Sequence, residues 1–342
     1  MLGAVLALGS VSCTTGPAGD SMETVFGMAP AGPDGTASAP AILGQQTRSL
    51  TIRDIVRASF EIAKDDLQPC LNADRRARLA SLQPIKIIDA KKLHVLSVYE
   101  PQSRTITISE LTWRNFAFAA MSEKLAEIDN RFDVEWRTRY RLFLRNKDAF
   151  DDVQSPVQMA GLPKGWIGAE VSSELVRHLM EEAQYNATFV LAHEYHHHLE
   201  PVARQTGESV SAFRQRLREH ELAADRFAMD MMLCRSVIER SLDPMVEVPQ
   251  LFFDWILMLE GKQHALSAET HPLDHHRARN AANYLIQKLQ LLSPSPDRLE
   301  MIGVTRELVK VADDIDREGP SVFFGGINEE AKTVTRDSLR FR

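Results

Sequence analysis

The chain has 342 residues, with 44% hydrophobic and 25% charged side chains and a formal net charge of −7. That mix excludes a mostly disordered chain, a collagen and a coiled-coil rod, and the acidic balance argues against general binding to nucleic acid. Three cysteines without CxxC spacing do not make a disulfide-built scaffold. Eleven histidines are present, four of them within 193–198 and three within 271–276.

Residues 1–19 carry no charged side chain, and MLGAVLALGSVSC combines a short apolar run with small residues before Cys13. The pattern reads as the end of a secretory signal. It resembles a bacterial lipoprotein signal with Cys13 as the lipidation site, although no Lys or Arg precedes the run and Ser10 stands where Leu is usual. From Thr14 to Pro40, 20 of 27 residues are Gly, Pro, Ala, Ser or Thr. Such a stretch buries too little apolar surface to offset its ordering entropy, so 14–47 is expected to be a flexible tether. Residues 48–342 are expected to form a single domain, with its chemical core at about 169–292. Together these features predict an exported protein of a bacterial periplasm or envelope, held to the membrane through a lipid on Cys13; a cytoplasmic chain is the alternative.

Helical spacing predicts helices over 51–67 and about 72–82. Alternation over 84–99 and 104–109, with Pro101-Gln102-Ser103 between, predicts a β-hairpin. Residues 110–148 read as helical, with aromatic side chains from Trp113 to Phe143 suited to a core. The glycines and prolines of 151–168 predict a loop. Four further helices follow, over about 169–200, 209–240, 250–261 and 272–292. Pro201 ends the first, the third starts after Pro249, and Pro272 suits the first turn of the last. The expected fold class is α+β, mainly helical, with a small sheet.

The helix at 169–200 contains LAHEYHHHLE. His193, Glu194 and His197 form H-E-x-x-H. Residues four apart share one helix face, so both imidazoles can reach one ion. Two neutral imidazoles and a third protein ligand suit one Zn²⁺ with a position left for water. Glu194 lies about 100° around the helix from His193, out of the ligand set but near that water, where it can act as general base. His196 and His198 point off this face.

A metzincin needs Gly and His three and six residues after the second histidine; Glu200 and Ala203 stand there instead. The next long helix carries HELAADRFAMD. Glu221 can supply a carboxylate ligand, with the adjacent His220 as its rival. Asp225, one turn on, can accept a hydrogen bond from a ligand imidazole and fix its orientation. HEYHH, ELAAD and THPLDHHRAR together resemble the gluzincin metallopeptidases, particularly the group of CAAX prenyl proteases and bacterial periplasmic chaperone-proteases.

The resemblance covers about 185–280. It implies a zincin-like fold, His193, His197 and Glu221 as zinc ligands, and Glu194 as general base. It further implies Asp225 as the acid behind a ligand, His271 in the catalytic site and Arg277 near it. The implied activity is a zinc-dependent endopeptidase acting on protein or peptide, whose sheet edge aligns an extended substrate. The alternative is a catalytically silent, metal-binding chaperone or interaction module. His271 has a local reading too, as a cap before Pro272. His275 and His276 are expected to be exposed on the helix that follows. Cys70 and Cys234 can pair if the chain is exported; Cys234 otherwise reads as a buried thiol.

Overall fold

The computed structural model describes residues 52–88, 97–146, 155–162, 169–259, 271–319, 329–330, 332–335 and 337–340. The segments 1–13 and 14–47, Cys13 and residues 89–96 of the expected hairpin all lie outside these residues. The elements run α1 (Ile52–Leu67), α2 (Ala73–Ala80), β1 (Lys86–Ile88), β2 (Ser97–Glu100), β3 (Thr105–Ser109), α3 (Glu110–Ile128) and α4 (Val134–Asn146). There follow the short α5 (Pro156–Met159), α6 (Ala169–Leu199), α7 (Val210–Glu239), α8 (Asp243–Leu259), α9 (Asp274–Leu291) and α10 (Pro296–Glu318). The fold is mainly helical with a three-stranded sheet, consistent with the α+β expectation.

The central element is α6. Residues 186–196 are buried without interruption, which a helix tolerates only when neighbours enclose it on all sides. Those neighbours are α1, α3, α7 and α8, with β2 alongside. Ala183, Ala187 and Ala192 let other helices approach closely, while Phe189, Leu191 and Tyr195 fill the space between them. Phe189 meets Phe252 of α8 edge to face, with ring centroids 5.6 Å apart. A long buried helix in this position holds its polar side chains in one place.

The sheet order is β1-β3-β2. β2 and β3 pair antiparallel, as the predicted hairpin requires, and β1 joins β3 in parallel. Several hydrogen bonds tie the β2 side of the sheet and α2 to the end of α6. Tyr99 donates its hydroxyl to His198 Nδ1 at 2.7 Å. His198 Nε2 donates to the Arg78 carbonyl at 3.2 Å, and Arg78 Nη2 donates to the Leu199 carbonyl at 2.7 Å. The last carbonyls of a helix have no partner within it, so the Arg78 guanidinium answers a definite need there.

Several element boundaries differ from expectation. The predicted helix over 110–148 is broken between Asp129 and Asp133, where the Asp133 carboxylate caps a fresh start by accepting from the Trp136 backbone N–H at 2.8 Å. Pro249 lies inside α8 rather than before it. Pro272 precedes α9, whose N-cap is Leu273. α10 had no sequence expectation; Ser295 caps it, accepting from the Arg298 backbone N–H at 3.1 Å, and it packs along α9.

Cys70 and Cys234 form a disulfide, with Cα atoms 5.8 Å apart and a sequence separation of 164. It joins the end of the α1 segment to α7. Nearby, the Arg235 guanidinium of α7 reaches Asp66 of α1 at 2.8 Å and Thr188 of α6 at 3.0 Å. Opening the bond releases a long loop in the unfolded chain. The Cys70→Ser/Cys234→Ser variant should therefore lose about 2–5 kcal/mol of stability. Thermal melts with and without reductant check this: reductant should lower the Tm of the wild type and leave the variant unmoved.

Candidate metal centre

Helix α6 presents His193 and His197 one turn apart, and α7 crosses beside it and presents Glu221. His193 Nε2 and His197 Nε2 are 3.2 Å apart. His193 Nε2 lies 3.3 Å from Glu221 Oε2, and His197 Nε2 lies 3.4 Å from Glu221 Oε1. Glu221 Oε2 is buried, with His193 Nε2 its neighbour at 3.3 Å. A buried carboxylate oxygen needs a positive partner.

The separations are compatible with a metal ion as that partner. Four ligands about 2.0–2.1 Å from one ion stand about 3.3–3.4 Å apart in a tetrahedron and about 2.9 Å apart in an octahedron. The 3.2 Å between the two Nε2 atoms is close to the tetrahedral edge, and Glu221 meets each nitrogen at 3.3–3.4 Å through a different carboxylate oxygen. Two imidazole nitrogens with a carboxylate oxygen are donors for a borderline transition metal, not for calcium or magnesium. These residues therefore fit a metal ion. The rival ligand His220 stands against His196 and His197, with ring centroids 5.0 and 4.8 Å away, and is not in this donor triad.

Behind His193 lies a buried relay. His193 Nδ1 donates to Asp225 Oδ1 at 2.9 Å. Arg277 of α9 grips the same carboxylate with two bonds, Nε to Oδ2 at 3.0 Å and Nη2 to Oδ1 at 2.7 Å. Asp225 is fully buried and Arg277 nearly so. The bond at Nδ1 leaves the Nε2 lone pair for a metal and fixes the ring plane.

The charges at the centre are interdependent. Burial opposes the charged form of His193, but its bonds to Asp225 and Glu221 outweigh burial and lift its pKa to about 10. Burial opposes ionisation of Glu221 as well, yet His193, His271 and His197 hold its carboxyl well below the usual range. The site thus concentrates negative potential where the two imidazole Nε2 atoms meet. A proton on His193 answers it, and a divalent cation at the same point answers it better. His197 is the opposite case, pushed down to about 3 by burial, which keeps it neutral as a ligand must be.

Glu194 is buried to 5% exposure, and Ser97 Oγ at the start of β2 donates to its Oε1 at 2.6 Å. Burial raises the Glu194 pKa, and the neighbouring His193 and the Ser97 bond partly offset this. His271 stands at the rim with its side chain 38% exposed and Nε2 3.5 Å from Glu221 Oε1. All seven expected body residues, His193, Glu194, His197, Glu221, Asp225, His271 and Arg277, thus lie in one continuous cluster.

Sequence reasoning missed Ser97, which carries no motif; alternation alone could have placed it on a strand but not beside Glu194. It also misplaced one histidine, His275, whereas His196 and His198 stand outside the donor triad. His196 is buried against Phe227 and His220. His198 belongs to the β2 tie. His275 is 1% exposed rather than solvated, because α10 covers it, while His276 is exposed as expected.

Residues 120–289 match the family model of Peptidase U49, which supports a peptidase and hence a protein or peptide substrate. The matched stretch holds all seven cluster residues but not Ser97. Comparison with curated proteins and with solved structures gives no match.

Ser97→Ala removes a hydrogen bond to a charged group, an interaction of about 1.5–3 kcal/mol. Because the bond orients Glu194 rather than a ligand, kcat for peptide hydrolysis should fall by about tenfold with metal content unchanged. Metal analysis beside steady-state kinetics checks both halves.

Proposed function

We propose that this protein is a zinc-dependent endopeptidase of gluzincin type on a zincin-like fold. The observation that carries the reading is the mutual spacing of the His193, His197 and Glu221 donor atoms, 3.2–3.4 Å, with Glu194 buried beside them. His193, His197 and Glu221 would hold the ion. When bound, zinc polarises the scissile carbonyl and lowers the pKa of water at its open position.

The chain's own groups do the rest. Ser97 holds Glu194 Oε1, and Glu194 Oε2 takes the proton from the attacking water. The same carboxyl then gives that proton to the leaving amide nitrogen. Burial favours the protonated form of Glu194, which strengthens it as the acceptor in the first transfer. His271, at the open rim, donates from its imidazole to the oxygen of the carbonyl as charge develops there. Asp225 and Arg277 keep His193 in the ligand tautomer throughout. The β2 edge beside α6 aligns an extended substrate by main-chain hydrogen bonds.

The test is hydrolysis of an unstructured protein substrate such as casein. The purified chain should cleave it, lose activity to 1,10-phenanthroline, and regain it with one equivalent of Zn²⁺. Cleavage indifferent to the chelator would refute a metal mechanism.

We also propose that the chain is exported and works in an oxidising compartment of a bacterial envelope. The Cys70–Cys234 disulfide supports this, because such bonds persist outside the reducing cytosol. The apolar start ending at Cys13 supports a lipid anchor there. No helix among the described residues is long and apolar enough to cross a membrane. Mass spectrometry of the N-terminal peptide from cells should find a diacylglyceryl-modified Cys13; an unprocessed Met1 would contradict it.

A further inference from the structure

Away from this centre, where the start of α9 meets the end of α10, three potential ligands converge. His275 Nε2 and His276 Nε2 lie 3.0 and 2.9 Å from one atom, Asp316 Oδ1. The donor atoms of all three residues fall within 4.8 Å of one another. His275 is buried, whereas His276 and Asp316 are open enough to admit an ion from solvent. Two imidazoles and a carboxylate are again the donor set of a borderline transition metal. Asp316 sits in the last turns of α10, where the helix carbonyls add partial negative charge.

The competing cation is Arg279, which pairs with Asp316 Oδ2. Its Nη1 also lies 3.2 Å from Asp313 Oδ1, one turn earlier on α10. Asp313 can therefore keep the guanidinium when Asp316 turns to a metal, so Asp316 is released without stranding a charge. Ligation further requires each imidazole to carry its proton on Nδ1, a tautomer change with no net proton loss from a neutral ring.

We propose that His275, His276 and Asp316 form a second metal site, taking Zn²⁺ or a similar divalent transition metal and cross-linking α9 to α10. The site is built from residues that take no part in the His193–His197–Glu221 cluster. Its occupancy stiffens the first turn of α9, the same turn from which Arg277 reaches Asp225. The ion acts there as a structural clamp.

The test is Zn²⁺ stoichiometry by equilibrium dialysis and elemental analysis on the full chain. Wild type should bind two ions per chain. His276→Gln/Asp316→Asn, altered at partly exposed positions, should bind one and should lose the rise in Tm that Zn²⁺ produces beyond the first equivalent. His193→Ala/His197→Ala should also bind one. A wild type that saturates at one ion, lost in His193→Ala/His197→Ala and kept in His276→Gln/Asp316→Asn, overturns the second site and leaves the peptidase centre standing. One ion kept in His193→Ala/His197→Ala and lost in the other variant supports the second site and overturns the peptidase centre.

Discussion

Glu194→Gln should abolish most peptide hydrolysis while leaving the protein folded and metal-loaded. The amide matches the carboxylate in shape, and it can still accept from Ser97 Oγ, so the local packing survives. What it cannot do is take a proton from water at neutral pH. General-base assistance contributes about 10²–10⁴-fold, and the loss of kcat should fall in that range. Zinc content and Tm should match the wild type, since Glu194 is not among the three donor residues. Comparing N-terminal peptides from cells carrying each form extends the measurement, because cleavage sites present only with the wild type identify substrates. Full activity in a zinc-loaded Glu194→Gln protein would remove the assigned general base.

Asp225→Ala should have the largest effect on stability. The substitution strips two bonds from a buried Arg277 guanidinium and one from His193. Removing one member of a buried ion pair costs about 3–5 kcal/mol. Loss of a carboxylate behind a ligand histidine typically lowers metal affinity by about 10–100-fold. Arg277→Ala should also destabilise, and the double variant should cost clearly less than the sum, since no orphaned charge remains. Denaturant unfolding of the four proteins, with zinc competition in parallel, measures both effects.

The same pair sets acid sensitivity. Burial raises the Asp225 pKa, but Arg277 and His193 outweigh it and hold the carboxyl down at about 2. A carboxyl depressed in the folded state stabilises the protein above its unfolded pKa of about 4. That contribution, about 2–3 kcal/mol for a fully buried group, is lost as pH falls from about 4 to 2. Wild type should therefore lose stability over this window by more than Asp225→Ala does.

The helical frame was largely legible. Periodicity and Pro201 set the ends of α6, and the spacing of His193, Glu194 and His197 put both imidazoles on one face. Glu221 and Asp225 were legible for the same reason, since they too lie one turn apart on one helix. The disulfide was legible only as an option, because pairing over 164 residues depends on where α1 meets α7. Ser97, His196 and His275 were not legible. Each owes its place to a partner on another element: Glu194 for Ser97, Phe227 and His220 for His196, and Asp316 for His275. The break at Asp129–Asp133 escaped because apolar spacing continues across it, and only the Asp133 cap marks the restart.

The most direct test of the centre is an anomalous-difference map, collected at the zinc edge from crystals of active protein. The structure predicts a peak bonded at about 2.0–2.1 Å to His193 Nε2, His197 Nε2 and a Glu221 carboxylate oxygen. Active crystals with no peak among these three residues would contradict it.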